Sequence, residues 1–117
     1  MKILLLERHR DTAKAVMMIL QVRGHRVHWA TSVSEATQLC GRETFDLLIS
    51  ETYLPDGTGL EFMRDIARPI GLRGITLTAM GRACDEQDSL TAGFCAHLTK
   101  PVTMDQLVDA VERAVAA

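Results

Sequence analysis

Four of the five short apolar stretches in this chain run into residues that can do chemistry: Glu7 and Arg8 after the first, Glu51 after the third, Thr78 and Ala79 after the fourth, Lys100 and Pro101 after the fifth. Brought together they would offer two carboxylates, a guanidinium, a hydroxyl and an ammonium. Glu7 and Glu51 set against Arg8 and Lys100 sum to zero charge, so such a pocket has little electrostatic demand for a divalent cation. An inward Arg8 could pair with Glu51 or Glu7 in the bidentate geometry that carboxylates favour, whereas an outward one leaves the site short of a ligand. Other chemistries lack their residues. The run Glu7-Arg8-His9-Arg10 contains no glycine, which removes the main support for a dinucleotide or P-loop site, and Gly57-Thr58-Gly59 after the third stretch makes a turn. The strand ends hold no Ser-His-Asp order, and His9, His25 and His28 have no spacing partner for a metal, so neither an enzyme nor a metal ligand set is expected.

The elements that must position these residues follow from the hydrophobic pattern. Lys2 to Leu6, Arg26 to Ala30, Phe45 to Ser50, Gly74 to Thr78 and Ala96 to Thr99 read as strands, with amphipathic helical segments between them. That alternation predicts an α/β fold: five βα units, a five-stranded parallel sheet between two helical layers. Helix starts are marked by three capping boxes, Ser32 with Glu35, Thr58 with Glu61 and Thr103 with Gln106, in which side chains satisfy free backbone N–H groups. Asp11 or Thr12 is expected to start the first helix and Gly24 to end it. Ala13, Val16, Met17 and Leu20 in that helix, and Leu107, Val111, Ala114 and Val115 in the last, recur at helical spacing and are expected in the core. Trp29 reads as a packing residue. In open parallel sheets sites lie beyond the carboxyl ends of the strands, so Glu7, Arg8, Glu51, Thr78 and Lys100 should meet at one end.

Bulk properties narrow the field. The 117 residues fit one domain, 1–117, with a net charge of -2 and charges of both signs well mixed. No basic run points to nucleic acid or to a membrane surface. The longest unbroken apolar run, Ala15 to Leu20, is far short of a membrane span, and no signal-peptide pattern opens the chain. Cys40, Cys84 and Cys95 are odd in number and lack close spacing, which reads as reduced thiols in a cytoplasmic protein.

The motifs, in order and on the right elements, resemble the receiver domain of two-component response regulators. The landmarks are Glu7 after the first strand, Leu54-Pro55-Asp56-Gly57 with Gly59 after the third, Thr78-Ala79 after the fourth and Lys100-Pro101 after the fifth. The resemblance covers essentially the whole chain and implies a flavodoxin-like (βα)5 sandwich. In that family two acidic residues after the first strand and a phosphoacceptor Asp hold Mg²⁺, while a Thr and a Lys grip the phosphoryl oxygens and an aromatic before the Lys packs inward. Carried over by position, Glu7 matches the first acid, Thr78 the switch hydroxyl, Lys100 the lysine, and Lys100-Pro101 the family's usually cis bond. Three positions depart: Arg8 stands where the second acid should be, Glu51 where the nucleophile should be, and His97 where the switch aromatic sits. Glu51 carries one methylene more than Asp, enough to reach Lys100 or Thr78.

These departures give the functional expectation: a pseudo-receiver in phosphorelay signalling that acts through protein contacts without Asp phosphorylation, with weak or absent Mg²⁺ binding. Two alternatives stand beside it. One is a competent phosphoacceptor using Glu51 with altered metal dependence; the other is a pure interaction or dimerisation module. The resemblance implies protein partners, a histidine kinase or other domains of a larger regulator, and a homodimer through the face of the fourth helix, fifth strand and fifth helix. His97 also has a plainer reading as a packed histidine, although its ordinary pKa would permit pH sensing.

Overall fold

The computed structural model describes residues 1–79 and 85–116; Cys84 lies outside them. In chain order the elements are β1 (Lys2–Leu6), α1 (Arg10–Val22), β2 (Arg26–Ala30), α2 (Val33–Arg42), β3 (Leu47–Glu51), the two-residue strands β4 (Tyr53–Leu54) and β5 (Gly57–Thr58), α3 (Gly59–Phe62), β6 (Arg73–Thr78), α4 (Asp85–Ala92), β7 (Ala96–Thr99) and α5 (Met104–Ala116). β1, β2, β3, β6 and β7 form one parallel sheet in the order β2-β1-β3-β6-β7, and β4 and β5 pair as a small antiparallel hairpin. This is the three-layer α/β sandwich that the alternation predicts.

Alternate side chains of each central strand feed opposite faces, and both faces are covered, so the strands read as continuous apolar runs. Ile3, Leu5, Leu47, Ile49, Ile75 and Leu77 meet Ala13, Val16 and Leu20 of α1 and Leu107, Ala110, Val111 and Ala114 of α5. Leu4, Leu6 and Leu48 meet Ala36 of α2, Phe62 of α3, Ala92 of α4, and Met63, Ala67 and Phe94. In-register pairing sets Leu5 against Trp29 and Ile49, and Ile49 against Ile75, which locks the ends of β1 and β3 side by side. That alignment fixes where Glu7 and Glu51 emerge.

Strand limits match the pattern with two shifts: the third strand runs Leu47–Glu51, and β6 starts at Arg73 rather than Gly74; Asp46, just before β3, is tied to Lys2 by its N–H, which donates to Lys2 O, and by its side chain, which accepts the Lys2 amide, both at 2.8 Å. Helix starts follow the caps with two differences. Thr58–Glu61 and Thr103–Gln106 bond reciprocally, but the Glu35 carboxylate accepts from Thr31 N–H while Ser32 Oγ accepts from Glu35 N–H. The first helix starts earlier than Asp11 or Thr12. Its N-cap is His9, which has no side-chain cap bond; its backbone N–H is instead drawn to the Glu7 carboxylate at 2.9 Å, turning the chain into the helix sooner. Gly24, at φ +87°, takes the left-handed turn after the helix, where a side chain would be strained. Val115 is 56 % exposed and Ala110 takes the core position expected of it, since the stripe on α5 drifts past the sheet edge at the last turn.

After Phe62 the third helix widens into a π turn over Met63–Ala67 and tightens into a 3₁₀ turn over Arg68–Ile70. Its start is pressed onto the site strand. A Cβ on Gly59 would overlap the Glu51 carbonyl oxygen and the Ser50 hydroxyl, and Gly59 N–H donates to Thr52 O at 2.8 Å. Because the overlap is with backbone that cannot swing away, Gly59→Ala is expected to cost about 2 kcal/mol of stability, read from the shift of the urea unfolding midpoint.

Candidate functional site

The carboxyl ends of β1, β3, β6 and β7 converge, and their polar residues are unusually buried. Glu7 is fully buried and Glu51 is 5 % exposed. A buried carboxylate persists only with partners: Glu7 Oε1 has an ion pair without an aligned hydrogen bond, whereas Oε2 accepts one from the main chain. Lys100 Nζ lies 2.7 Å from Oε1, while Oε2 accepts from His9 N–H at 2.9 Å and faces His9 Nδ1 at 3.2 Å. Its main chain is held as well: Glu7 N–H donates to Ala30 O at 3.0 Å, and Trp29 Nε1–H donates to Glu7 O at 2.7 Å. Trp29 therefore ties β2 to the site rather than only filling space.

Glu51 is gripped less evenly. Its Oε2 accepts from the Arg8 backbone N–H. Its Oε1 faces three nitrogens at longer range, Arg8 Nε at 3.8 Å, His9 Nδ1 at 3.8 Å and Lys100 Nζ at 4.0 Å. Arg8 thus turns toward Glu51 while its side chain stays half exposed, and the bidentate pair that residue type allows is not made. The methylene that Glu has beyond Asp brings Glu51 within ion-pair range of Lys100.

Two carboxyls this close cannot both ionise cheaply. Burial, then the hydrogen bond with Glu7, pushes the Glu51 pKa up to about 7; the Arg8 amide and Lys100 only partly offset this. Burial would also raise Glu7, but hydrogen bonds with Glu51, Lys100 and the His9 amide outweigh it and hold Glu7 below the ordinary carboxylate range. At neutral pH the pair therefore carries Glu7 as the anion and Glu51 partly protonated.

Thr78 is buried at the end of β6, yet its hydroxyl does not face the carboxylates. It bonds His97 Nε2 at 3.1 Å, and His97 Nδ1 in turn lies 3.3 Å from Ser89 Oγ on α4. His97 is half buried and held between Thr78 and Ser89 by hydrogen bonds. Lys100 precedes a cis bond to Pro101, and Lys100 N–H donates to Thr78 O at 2.7 Å. Arg8, His9, Thr12, Glu51, Thr52, Tyr53, Leu77, Ala79 and Lys100 line a cleft of about 350 Å³ over this end of the sheet.

The strand-end reading placed Glu7, Arg8, Glu51 and Lys100 in one cluster, and they are together. Thr78 adjoins it with its hydroxyl turned to His97, and Ala79 lines the cleft while Pro101 stands just outside it. His9, Ser89 and Thr52 were not foreseen. His9 follows an acid in sequence but reaches the second one only across the sheet, and no spacing rule joins Ser89 to His97. Asp56 of the Leu54-Pro55-Asp56-Gly57 turn also has a role no motif states: its carboxylate accepts from Val33 and Ser34 N–H at 2.8 and 2.9 Å, which bolts the loop after β3 to the start of α2. Those amides hold its pKa below the ordinary range.

A family model of the response regulator receiver domain matches residues 3–112. The chain belongs to that family. An uncharacterised 14.6 kDa protein of Leptolyngbya boryana is 34 % identical over 97 % of this chain and 88 % of its own length. The response regulator PmrA of Pseudomonas aeruginosa is 32 % identical over 92 % of this chain, which spans 49 % of that relative. The non-phosphorylated HemR receiver domain of Leptospira biflexa superposes with a TM-score of 0.87 at 27 % identity, covering 99 % of this chain and 94 % of that one. Receiver domains are signalling modules of two-component systems that work with histidine kinases and effector domains. Among the described residues no helix is long and apolar enough to cross a membrane.

Receiver domains bind Mg²⁺ in the acidic pocket at this end of the sheet. Here that pocket offers two carboxyls and an imidazole, with Lys100 against one Glu7 oxygen and Arg8 beside Glu51.

The raised pKa of Glu51 has a consequence for stability. Between about pH 4.5, its ordinary value, and about 7 the folded state binds more protons than the unfolded state at this group. Its contribution is therefore fully present below the lower value and lost as pH rises through the upper one. Glu7, shifted the other way, contributes above the ordinary range and loses that contribution as pH falls. Glu51→Gln, neutral at every pH, should gain stability relative to the parent by about 2 to 3 kcal/mol between pH 5 and pH 8. Urea unfolding of both proteins at the two pH values checks this; an unchanged difference would mean an ordinary carboxylate.

Proposed function

We propose that this receiver domain is a pseudo-receiver: a member of two-component signalling pathways that works through protein contacts and is not switched by phosphorylation. The observation that carries the reading is the state of Glu51. A phosphoacceptor must present a free, ionised carboxylate oxygen to a donor whose charge a metal offsets. Glu51 instead has one oxygen on the Arg8 amide, the other among Arg8, His9 and Lys100, and a carboxyl held partly protonated by its neighbour Glu7.

The charge balance supports the same reading. Glu7 and Lys100 form an ion pair at 2.7 Å, so the lysine that would grip a phosphoryl oxygen is already engaged. Thr78, the other phosphate-contacting residue by position, is bonded to His97. Loss of the second acid to Arg8 removes the charge that would recruit Mg²⁺. Output then depends on surfaces presented to a histidine kinase, to linked domains or to a second copy, with Ala79 lining the pocket rather than serving chemistry. The chain spans about half the length of several regulators it matches, among them PmrA and a swarming motility regulator of Serratia marcescens, so its output partner belongs to this proposal.

Incubation with a small acyl phosphate and Mg²⁺, followed by intact-mass measurement, should leave the protein unmodified while an ordinary receiver is labelled alongside. A phosphoryl adduct mapping to Glu51 would overturn the reading in favour of a competent receiver. Restoring both positions, Arg8→Asp with Glu51→Asp, should tighten Mg²⁺ binding about tenfold or more, because the pocket changes from neutral to strongly acidic, and should allow acyl phosphate labelling. If the double variant folds yet takes up neither, the block lies with His97 and the Thr78 hydroxyl it holds.

A further inference from the structure

Four of the seven large apolar side chains exposed among the described residues lie on two neighbouring helices, Met18 and Val22 on α1 and Met104 and Val115 on α5, all between 55 and 81 % exposed. Both helices follow strands of the parallel sheet and cover the same face of it, so they run side by side in one direction. The groove between them is apolar at each end: Leu20 and Val111 line a cavity of about 410 Å³, and Val16 and Leu107 one of about 500 Å³. Exposed apolar surface gathered on one face marks an interaction site, whereas single exposed side chains do not.

Charge says what covers it. α1 and the turn after it carry Arg10, Lys14 and Arg23 against Asp11, while α5 carries Asp105, Asp109 and Glu112 against Arg113. Arg113 is paired with Asp109 on its own helix at 3.0 Å. Lys14, Arg23, Asp105 and Glu112 are exposed and have no ion-pair partner among the described residues. One helix is therefore basic, its neighbour acidic, and the face is complementary to itself. The spacing agrees. Lys14, Met18 and Val22 recur every four residues on α1, and Met104, Val108 and Glu112 do so on α5 with the charge at the opposite end. A two-fold axis across the helices lays α1 of one copy antiparallel to α5 of the other. That direction sets Lys14 against Glu112, Met18 against Val108 and Val22 against Met104, each contact made twice, with Arg23 meeting Asp105 at the end.

We propose that the α1–α5 face binds a second copy of this chain in a two-fold dimer. It is a different surface from the α4, β7 and α5 face that the family resemblance suggests; the far edge of α5, with Gln106, Asp109 and Arg113, is polar. Helix α1 starts just after Arg8, whose amide holds Glu51, so the dimer contact bears on the pocket. Only the claim that the dimer forms without phosphorylation rests on the pseudo-receiver reading.

Sedimentation of the intact chain over a range of concentrations, with no phosphodonor present, tests this. The expected result is a monomer–dimer equilibrium that weakens with added salt. Lys14→Glu and Glu112→Lys each change an exposed side chain outside the pocket, so the fold can be verified by the unfolding midpoint. Either variant alone sets like charges opposite each other twice and should weaken the dimer about tenfold or more. Mixing the two variants should restore it, because both opposed pairs in the mixed dimer again join opposite charges. Self-association indifferent to both variants, or weakened by each and not rescued by the mixture, would overturn the proposal. A monomer at every soluble concentration would overturn it while leaving the pseudo-receiver reading intact. A dimer that forms only after acyl phosphate labelling would overturn both.

Discussion

The contact on which this end of the molecule depends is the ion pair between Glu7 and Lys100. Glu7 sits at the end of a buried central strand with no access to water, and a charge there needs a partner within hydrogen-bonding range. Lys100 supplies it from the end of β7, reaching across β3 and β6. The pair joins the first and last thirds of the chain, and once it is made the charge of everything between is constrained. Glu51 lies beside an anion that is already paired, so it is Glu51 whose pKa is pushed up. A buried pair of this kind adds little to net stability, because desolvation consumes most of the attraction, but removing either partner leaves a stranded charge.

A second set of bonds keeps the pocket in one arrangement. Thr78, His97 and Ser89 form a chain from the end of β6 to α4, and a neutral imidazole can serve it by donating from one ring nitrogen and accepting at the other. An aromatic ring at that position would hold Thr78 by packing alone and leave its hydroxyl free to turn. Here the hydroxyl has a fixed alternative to the acidic cleft. Arg8, Glu51 and His97 are alike in this: each makes an internal contact, Arg8 with Glu51 and His97 with Thr78 and Ser89.

The scaffold under the pocket is correspondingly stiff. Gly59 lets the third helix start against the Glu51 carbonyl with no room for a side chain, and Asp56 fastens the same loop to α2 through two amides. Trp29 closes the opposite side by bonding the Glu7 carbonyl. Strand, loop and helix starts around the two carboxyls are all tied by main-chain hydrogen bonds, which is how buried acids can be held close together without the structure relaxing to separate them.

Much of this was legible in the residues. Apolar runs of five or so separated by capped amphipathic segments require a parallel sheet covered on both faces, and the strands at Lys2–Leu6, Arg26–Ala30 and Ala96–Thr99 lie where the pattern puts them, because period and capping are local properties of the chain. The same rule brought Glu7, Arg8, Glu51 and Lys100 to one end and showed that their charges cancel. The sequence could not say that Arg8 would bind Glu51 by its amide while its guanidinium stays at the edge, that His9 would cap α1 without a side-chain bond, or that Val115 would fall outside the core. Nor could it join Ser89 to His97, or His9 to Glu51. Those outcomes depend on how far strands remote in sequence slide against one another and on which carboxyl desolvation leaves charged. Residue types and spacing determined the fold and brought Glu7, Arg8, Glu51 and Lys100 to one end; register and burial, which exist only once the sheet is assembled, added the other members of the pocket and decided how its charges pair.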